Sequence, residues 1–119
     1  MRRFAFDTVL VDLKAANVHR LPFISTVVVE AARQDMGVIA TKVCAQGRIL
    51  SRLMMAEALG YAWSIPDVSL AIVGCETPAE VDENADIART FQPFSAEQMR
   101  DCETCTRPEA LQMGYFNRM

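Results

Sequence analysis

The sequence is 119 residues long, 51% apolar and carries a formal charge of −3, enough chain for one domain with a real core and too little for two. A pI near 5.1 and the lack of a Lys/Arg stripe exclude nucleic acid as a partner, because neutralising phosphates needs clustered positive charge. Asp12 and Lys14 interrupt the apolar run Val9–Val11 and Met1-Arg2-Arg3 is only a basic start, so the sequence shows no signal-peptide core and no membrane span.

In chain order, Phe6 to Leu13 is β-rich and reads as a first strand. Ile24 to Gln34 reads as a helix, with Ser25 as N-cap and Gly37 as the terminator behind it. The run Val38–Val43 is almost continuously apolar, the pattern of a strand buried on both faces. Met54 to Ile65 is helical, with Met55, Leu59 and Ala62 at helical spacing and Pro66 as the stop. Val68 to Val73 is a second buried strand. Thr77-Pro78-Ala79-Glu80 then opens a helix with a capping Thr, Pro at the first helical position and Glu three residues after the cap. Val81, Ala85 and Ala88 give that helix an apolar stripe. Ser95-Ala96-Glu97-Gln98 repeats the capping logic, and from Thr106 onward the sequence reads as a tail over the surface.

The order β-α-β-α-β-α-α-tail predicts an α/β fold with a parallel sheet, in a single domain over 1–119 with units in 1–105 and a tail in 106–119. Three parallel strands leave two hydrophobic edges, so the chain is expected either to pair with another copy or to be a piece of a larger barrel or sheet.

The four cysteines are too few and too scattered for a disulfide framework, and with no export signal the thiols read as reduced and the chain as cytoplasmic. Cys102-Glu-Thr-Cys105 has CxxC spacing but no second ligand pair for zinc, and it lies far from the helix start where a redox thiol would be activated. It reads as structural. Cys44 and Cys75 follow adjacent strands and read as small buried hydrophobes. The acidic residues Glu76, Glu80, Asp82, Glu83 and Asp86 form the solvated face of one helix and lack calcium-loop spacing. Lys42, at the end of a strand, is either a paired or snorkelling lysine or a phosphate contact. No metal site is expected.

Gly37-Val-Ile-Ala-Thr-Lys42-Val43, Gly47-Arg48 and Ala71-Ile-Val-Gly74-Cys-Glu-Thr77-Pro78-Ala-Glu-Val-Asp-Glu83-Asn84 together closely resemble the last part of the aldo-keto reductases. The resemblance extends from Phe6-Asp7-Thr8-Val9, like the sixth barrel strand, to Thr106-Arg107-Pro108, and is nearest the bacterial predicted-oxidoreductase branch. It implies part of a (β/α)8 TIM barrel, about three β/α units with a C-terminal helix and tail. It also implies a nicotinamide cofactor, NAD or NADP. Thr41, Lys42, Val43, Cys44 and Gly47 would support the nicotinamide and pyrophosphate. Gly74, Cys75, Glu76, Thr77, Glu80, Glu83 and Asn84 would hold the adenosine end. A strand-ending glycine and free N–H groups of the following helix fit a ligand at the carboxyl ends of the strands.

Members that bind NADP place basic residues where this chain has Gly74 and Glu80, so the resemblance favours NAD or no nucleotide. The family's catalytic Asp, Tyr, Lys and His precede the segment matched by Phe6. Tyr61, Tyr115 and His19 stand at no matching position, so no catalytic residue is carried over. The expectation is an oxidoreductase fragment that meets a carbonyl substrate only together with the missing half, and that is inactive alone. A natural truncation, an internal start or a fragment fits equally. The alternative is a non-catalytic interaction module that forms homo-oligomers through its exposed strand edges.

Overall fold

The computed structural model describes residues 4–15, 23–44, 50 and 53–113. Three strands, β1 (Thr8–Asp12), β2 (Gly37–Thr41) and β3 (Val68–Ala71), form one parallel sheet in the order β1-β2-β3. A π-helical segment, Ile24–Val28, runs into α1 (Val29–Arg33) between the first two strands, and α2 (Met55–Ser64) joins the second to the third. Helices α3 (Pro78–Arg89) and α4 (Ala96–Met113) complete the chain. The α/β class and the element order match the sequence expectation. Among the described residues no helix is long and apolar enough to cross a membrane.

The first helix starts differently from its sequence signal. Ser25 lies inside the π-helical turn rather than capping it, and no side chain caps the start at Phe23. Nor does Gly37 terminate the helix. The reversal is made by Asp35 at φ 57°, and Gly37 opens β2 by donating its N–H to the Asp7 carbonyl at 2.9 Å. Aspartate tolerates the left-handed region because its short carboxylate can bond the local backbone. Asp67, at φ 72°, makes the matching turn between α2 and β3.

One face of the sheet carries the core. Val11, Val38 and Ala40 pack with Val28 and Ala31 from the first helical segment and with Ala58, Leu59, Tyr61 and Ala62 from α2. The expectation of strands buried on both faces fails at β3, which is a half-exposed edge with Leu70 in solvent. On the opposite face Leu10, Ile39 and Leu70 lie in register across the three strands. A bulge between Val38 and Ile39 shifts the β3 register, and there Ser69 Oγ accepts the Val38 N–H at 3.3 Å.

Helix α3 also departs from its pattern. Neither Val81 nor Ala88 of the expected stripe is covered, and no residue of α3 is fully buried. The helix holds to α2 through half-buried Ile87 and through an edge-to-face contact of Trp63 with Phe91, centroids 5.6 Å apart. Helix α4 begins with a reciprocal capping box, Ser95 Oγ accepting from Gln98 N at 3.1 Å and Gln98 Oε1 from Ser95 N at 2.7 Å. It does not stop at Thr106, as the sequence suggested, but runs through Pro108 to Met113. Thr106 is fully buried and donates its hydroxyl to the Cys102 carbonyl at 2.9 Å, anchoring the turn that precedes the proline.

Phe94 sits against α2 at Gly60, where a β-carbon would stand 2.4 Å from the ring's Cζ. Gly60→Ala is expected to lower stability by about 1 kcal/mol, overpacking outweighing the gain in helix propensity. Urea denaturation checks this, and the loss should disappear in a Phe94→Ala background. Tyr61 is buried and donates to Glu103 Oε2 at 2.5 Å. Burial first, then this bond, holds its phenol well above the ordinary value of 10.0. The folded protein therefore keeps a proton that the unfolded chain releases, so this contribution is full below about pH 10 and is lost as pH rises further. Denaturation between neutral and alkaline pH should show a shallower alkaline loss for Tyr61→Phe than for the parent.

Candidate functional site

In parallel β/α folds ligands gather at the carboxyl ends of the strands, because the loops there are free to vary and the following helices point their N-termini inward. Here the chain leaving β2 turns at Lys42, which adopts φ 55°, and the chain leaving β3 runs extended from Ile72 to Cys75 before α3 begins. The two loops and the first turns of α3 enclose a cavity of about 850 Å³. That lies within the roughly 300–1,000 Å³ span of small-molecule sites.

Of the residues singled out in the sequence, the cavity gathers Thr41, Lys42, Val43 and Cys44 from the first loop. From the second loop and α3 it gathers Gly74, Cys75, Glu76, Glu80, Glu83 and Asn84. Thr77 does not line it; its hydroxyl accepts the Glu80 N–H at 3.2 Å and caps α3. Gly47 and its neighbour Arg48 lie outside the described residues, as do His19, Tyr115 and Met1-Arg2-Arg3. The apolar part of the lining comes from Val43, Leu50, Met55, Ile72 and Val73. Sequence reasoning missed Met55, whose helical spacing marked it only as core, and did not single out Leu50.

The helix N-terminus is less open to an anion than the sequence implied. Pro78 has no N–H, Thr77 takes the N–H of Glu80, and the Glu80 carboxylate reaches back to accept the Glu76 N–H at 2.7 Å. The cap thus consumes donors that a phosphate would need. Glu76, Glu80 and Glu83 outnumber Lys42 on the lining, so the local charge favours hydroxyl-bearing or neutral ligand groups over phosphate near α3. Gly74 meets nothing within 4 Å of a built β-carbon, so neither crowding nor a left-handed backbone demands glycine there. The space beside it belongs to the cavity.

The cysteines divide by burial. Cys44 is half-buried, its thiol pushed up by burial and donating toward Met55 Sδ at 3.5 Å. Cys75 is exposed rather than buried, and accepts from Asn84 Nδ2 at 3.3 Å, tying the loop to the second turn of α3. Cys102 is buried on α4, its thiol pushed up to about 11 by burial and then by nearby carboxylates, while Cys105 faces solvent. A thiol held protonated in mid-helix is a packing group, in line with the position of this CxxC pair far from the start of α4. Among the described residues no three His, Cys, Asp or Glu side chains converge as a metal site.

At the same edge of the sheet, Asp12 at the end of β1 and Lys14 just beyond it are both buried and form an ion pair. Burial holds the Lys14 ammonium below the usual lysine range; the bond to Asp12 opposes that shift and the positive charge of Lys42 adds to it. The signal was visible in the sequence as two charges that break an apolar strand, yet alternation alone gives no reason to bury them.

Compared with protein-family models, with curated proteins and with solved structures, the chain matches none. The geometry can be probed directly at the buried pair. Lys14→Met leaves Asp12 buried without that cation and is expected to cost about 3 kcal/mol, whereas adding Asp12→Leu should recover most of the loss. Chemical denaturation of the two variants measures both.

Proposed function

We propose that the chain is the cofactor-side part of an aldo-keto-reductase-like barrel and that its cavity binds the dinucleotide NAD. The observation that carries this reading is the convergence of both cofactor loops implied by the resemblance on one cavity at the carboxyl ends of β2 and β3. The partial-barrel reading draws support from the parallel 1-2-3 strand order, helices on one face and an apolar opposite face. In a (β/α)8 barrel that second face would be the interior, filled by side chains of the other strands.

In this reading Lys42 supplies the cation for the pyrophosphate, the apolar lining takes the flat rings, and the α3 carboxylates accept hydroxyls of the adenosine ribose. A carboxylate at that place suits NAD, whose ribose offers a 2′-hydroxyl, and repels the 2′-phosphate of NADP. Hydride transfer to a carbonyl would depend on an Asp, Tyr, Lys and His for which this chain offers no counterparts, so the chain alone is expected not to turn over aldehydes.

A second reading, a non-catalytic module that self-associates through strand edges, is favoured by one observation. Both β1 and β3 are edges of the sheet, with Leu10 and Leu70 exposed.

Titration calorimetry with NAD and NADP tests the cofactor reading. NAD should bind more tightly than NADP, and Glu80→Arg should improve NADP binding by roughly tenfold through a charge-assisted contact. Gly74→Ala should weaken NAD binding while leaving the melting temperature unchanged, since Gly74 lines the cavity and a β-carbon there meets no atom of the chain within 4 Å. No binding at millimolar nucleotide, or tighter NADP than NAD in the parent chain, would overturn the proposal.

A further inference from the structure

The face of the sheet turned away from the helices gathers several of the exposed large apolar side chains among the described residues. Leu10, Leu70 and Ile72 on it are 59%, 47% and 53% exposed, and Phe4 and Phe6, which extend the even-numbered row of β1, are 67% and 54% exposed. Half-buried Ile39 joins Leu10 to Leu70 across the middle strand. The other side chains of this face up to the Asp12–Lys14 pair are the uncharged Thr8 and Thr41, with Gly37 between the strands. The same sheet also has two unpaired edges, one on β1 and one on β3.

We propose that this face docks a second copy of the chain. The two copies are related by a two-fold axis, so that their apolar faces enclose one interior and β3 of each lies beside β1 of the other. This arrangement deepens the self-association reading above and does not depend on nucleotide binding. Stacking face to face would cover the leucines and leave four edges open. Adding strands edge to edge without closure would satisfy backbone groups and leave the face in water. Two-fold closure meets both demands, continues the parallel strand order across each junction, and keeps every helix outside.

The sizes agree. The exposed parts of these side chains amount to about 500 Å² per copy, the upper end of what a monomer leaves in water, and about 1,000 Å² across the pair, where specific interfaces begin. Because the face carries no unpaired charge, bringing it against its own copy incurs no like-charge penalty. Both cavities then open at the same end of the assembly, since all strands run the same way.

Light scattering coupled to size exclusion, from low micromolar to submillimolar chain, tests the inference. The expected mass is twice the 13.2 kDa of one chain and stays there as concentration rises. Leu70→Lys should give a monomer, whereas Val81→Lys, at a similarly exposed position on α3, should leave the dimer intact. A monomer throughout, a mass that keeps growing, or a dimer that survives Leu70→Lys would each overturn the proposal. Should Leu70→Lys fail to fold, hydrogen exchange of the parent chain decides: the outer-edge amides of β1 and β3 are protected at every concentration if the proposal holds, and exchange as open edges if it fails. NAD calorimetry on the monomeric variant keeps the two readings separate, because Leu70 is not part of the cavity lining, although Thr41 and Ile72 belong to both surfaces.

Discussion

Parallel strands cannot be joined by tight turns, so each crossover in this chain carries a helix back over the sheet, and both crossovers land on the same side. That constraint orders the rest of the molecule. Val38 and Ala40 of the central strand, together with Val11, are sealed under α1 and α2, while Leu10, Ile39 and Leu70 on the reverse side are left without a layer over them. A sheet of this kind is stable when both faces are covered and its edges are managed. The covered face supplies the core, and the other supplies the pressure to associate.

The same arrangement fixes where chemistry can occur. All three strands end at one edge, and there the chain departs from regular structure: the left-handed turn at Lys42, the extended run from Ile72 to Cys75, the buried pair of Asp12 and Lys14. Helix α3 brings its carboxylates to this edge, and its own cap uses the amide donors that a phosphate would otherwise find. A cavity with an apolar floor, one ammonium and several carboxylates is suited to a ligand with flat rings and hydroxyls and poorly suited to an extra phosphate. The proposed preference for NAD over NADP rests on that balance.

Much of this was legible in the sequence because it rests on local rules. The alternation of strand and helix, the Thr77 cap, the Ser95–Gln98 box and the stop at Pro66 each depend on a few neighbouring residues, and each element formed in order. What the sequence missed depends on tertiary context. An apolar run such as Val68–Val73 does not tell how many faces will be covered; β3 lies at the sheet edge, as the strand order implied, but none of its residues is fully buried. Thr106 looked like the start of a tail because its burial is invisible in a short window. Ser25 has the chemistry of a cap, yet the chain entered the helix through a π turn that places it inside. The site residues were found through the resemblance and the strand ends. Asp12 and Lys14 were visible as charges, but their burial was not.

The loops after β2 and β3 are proposed to form one nucleotide site. Heteronuclear NMR of the labelled chain titrated with NAD tests it most directly. The account predicts that amide shifts concentrate at Thr41–Cys44 and at Gly74–Asn84, with β1 and α4 unmoved. Shifts that are absent at millimolar NAD, or that fall elsewhere on the chain, would contradict it.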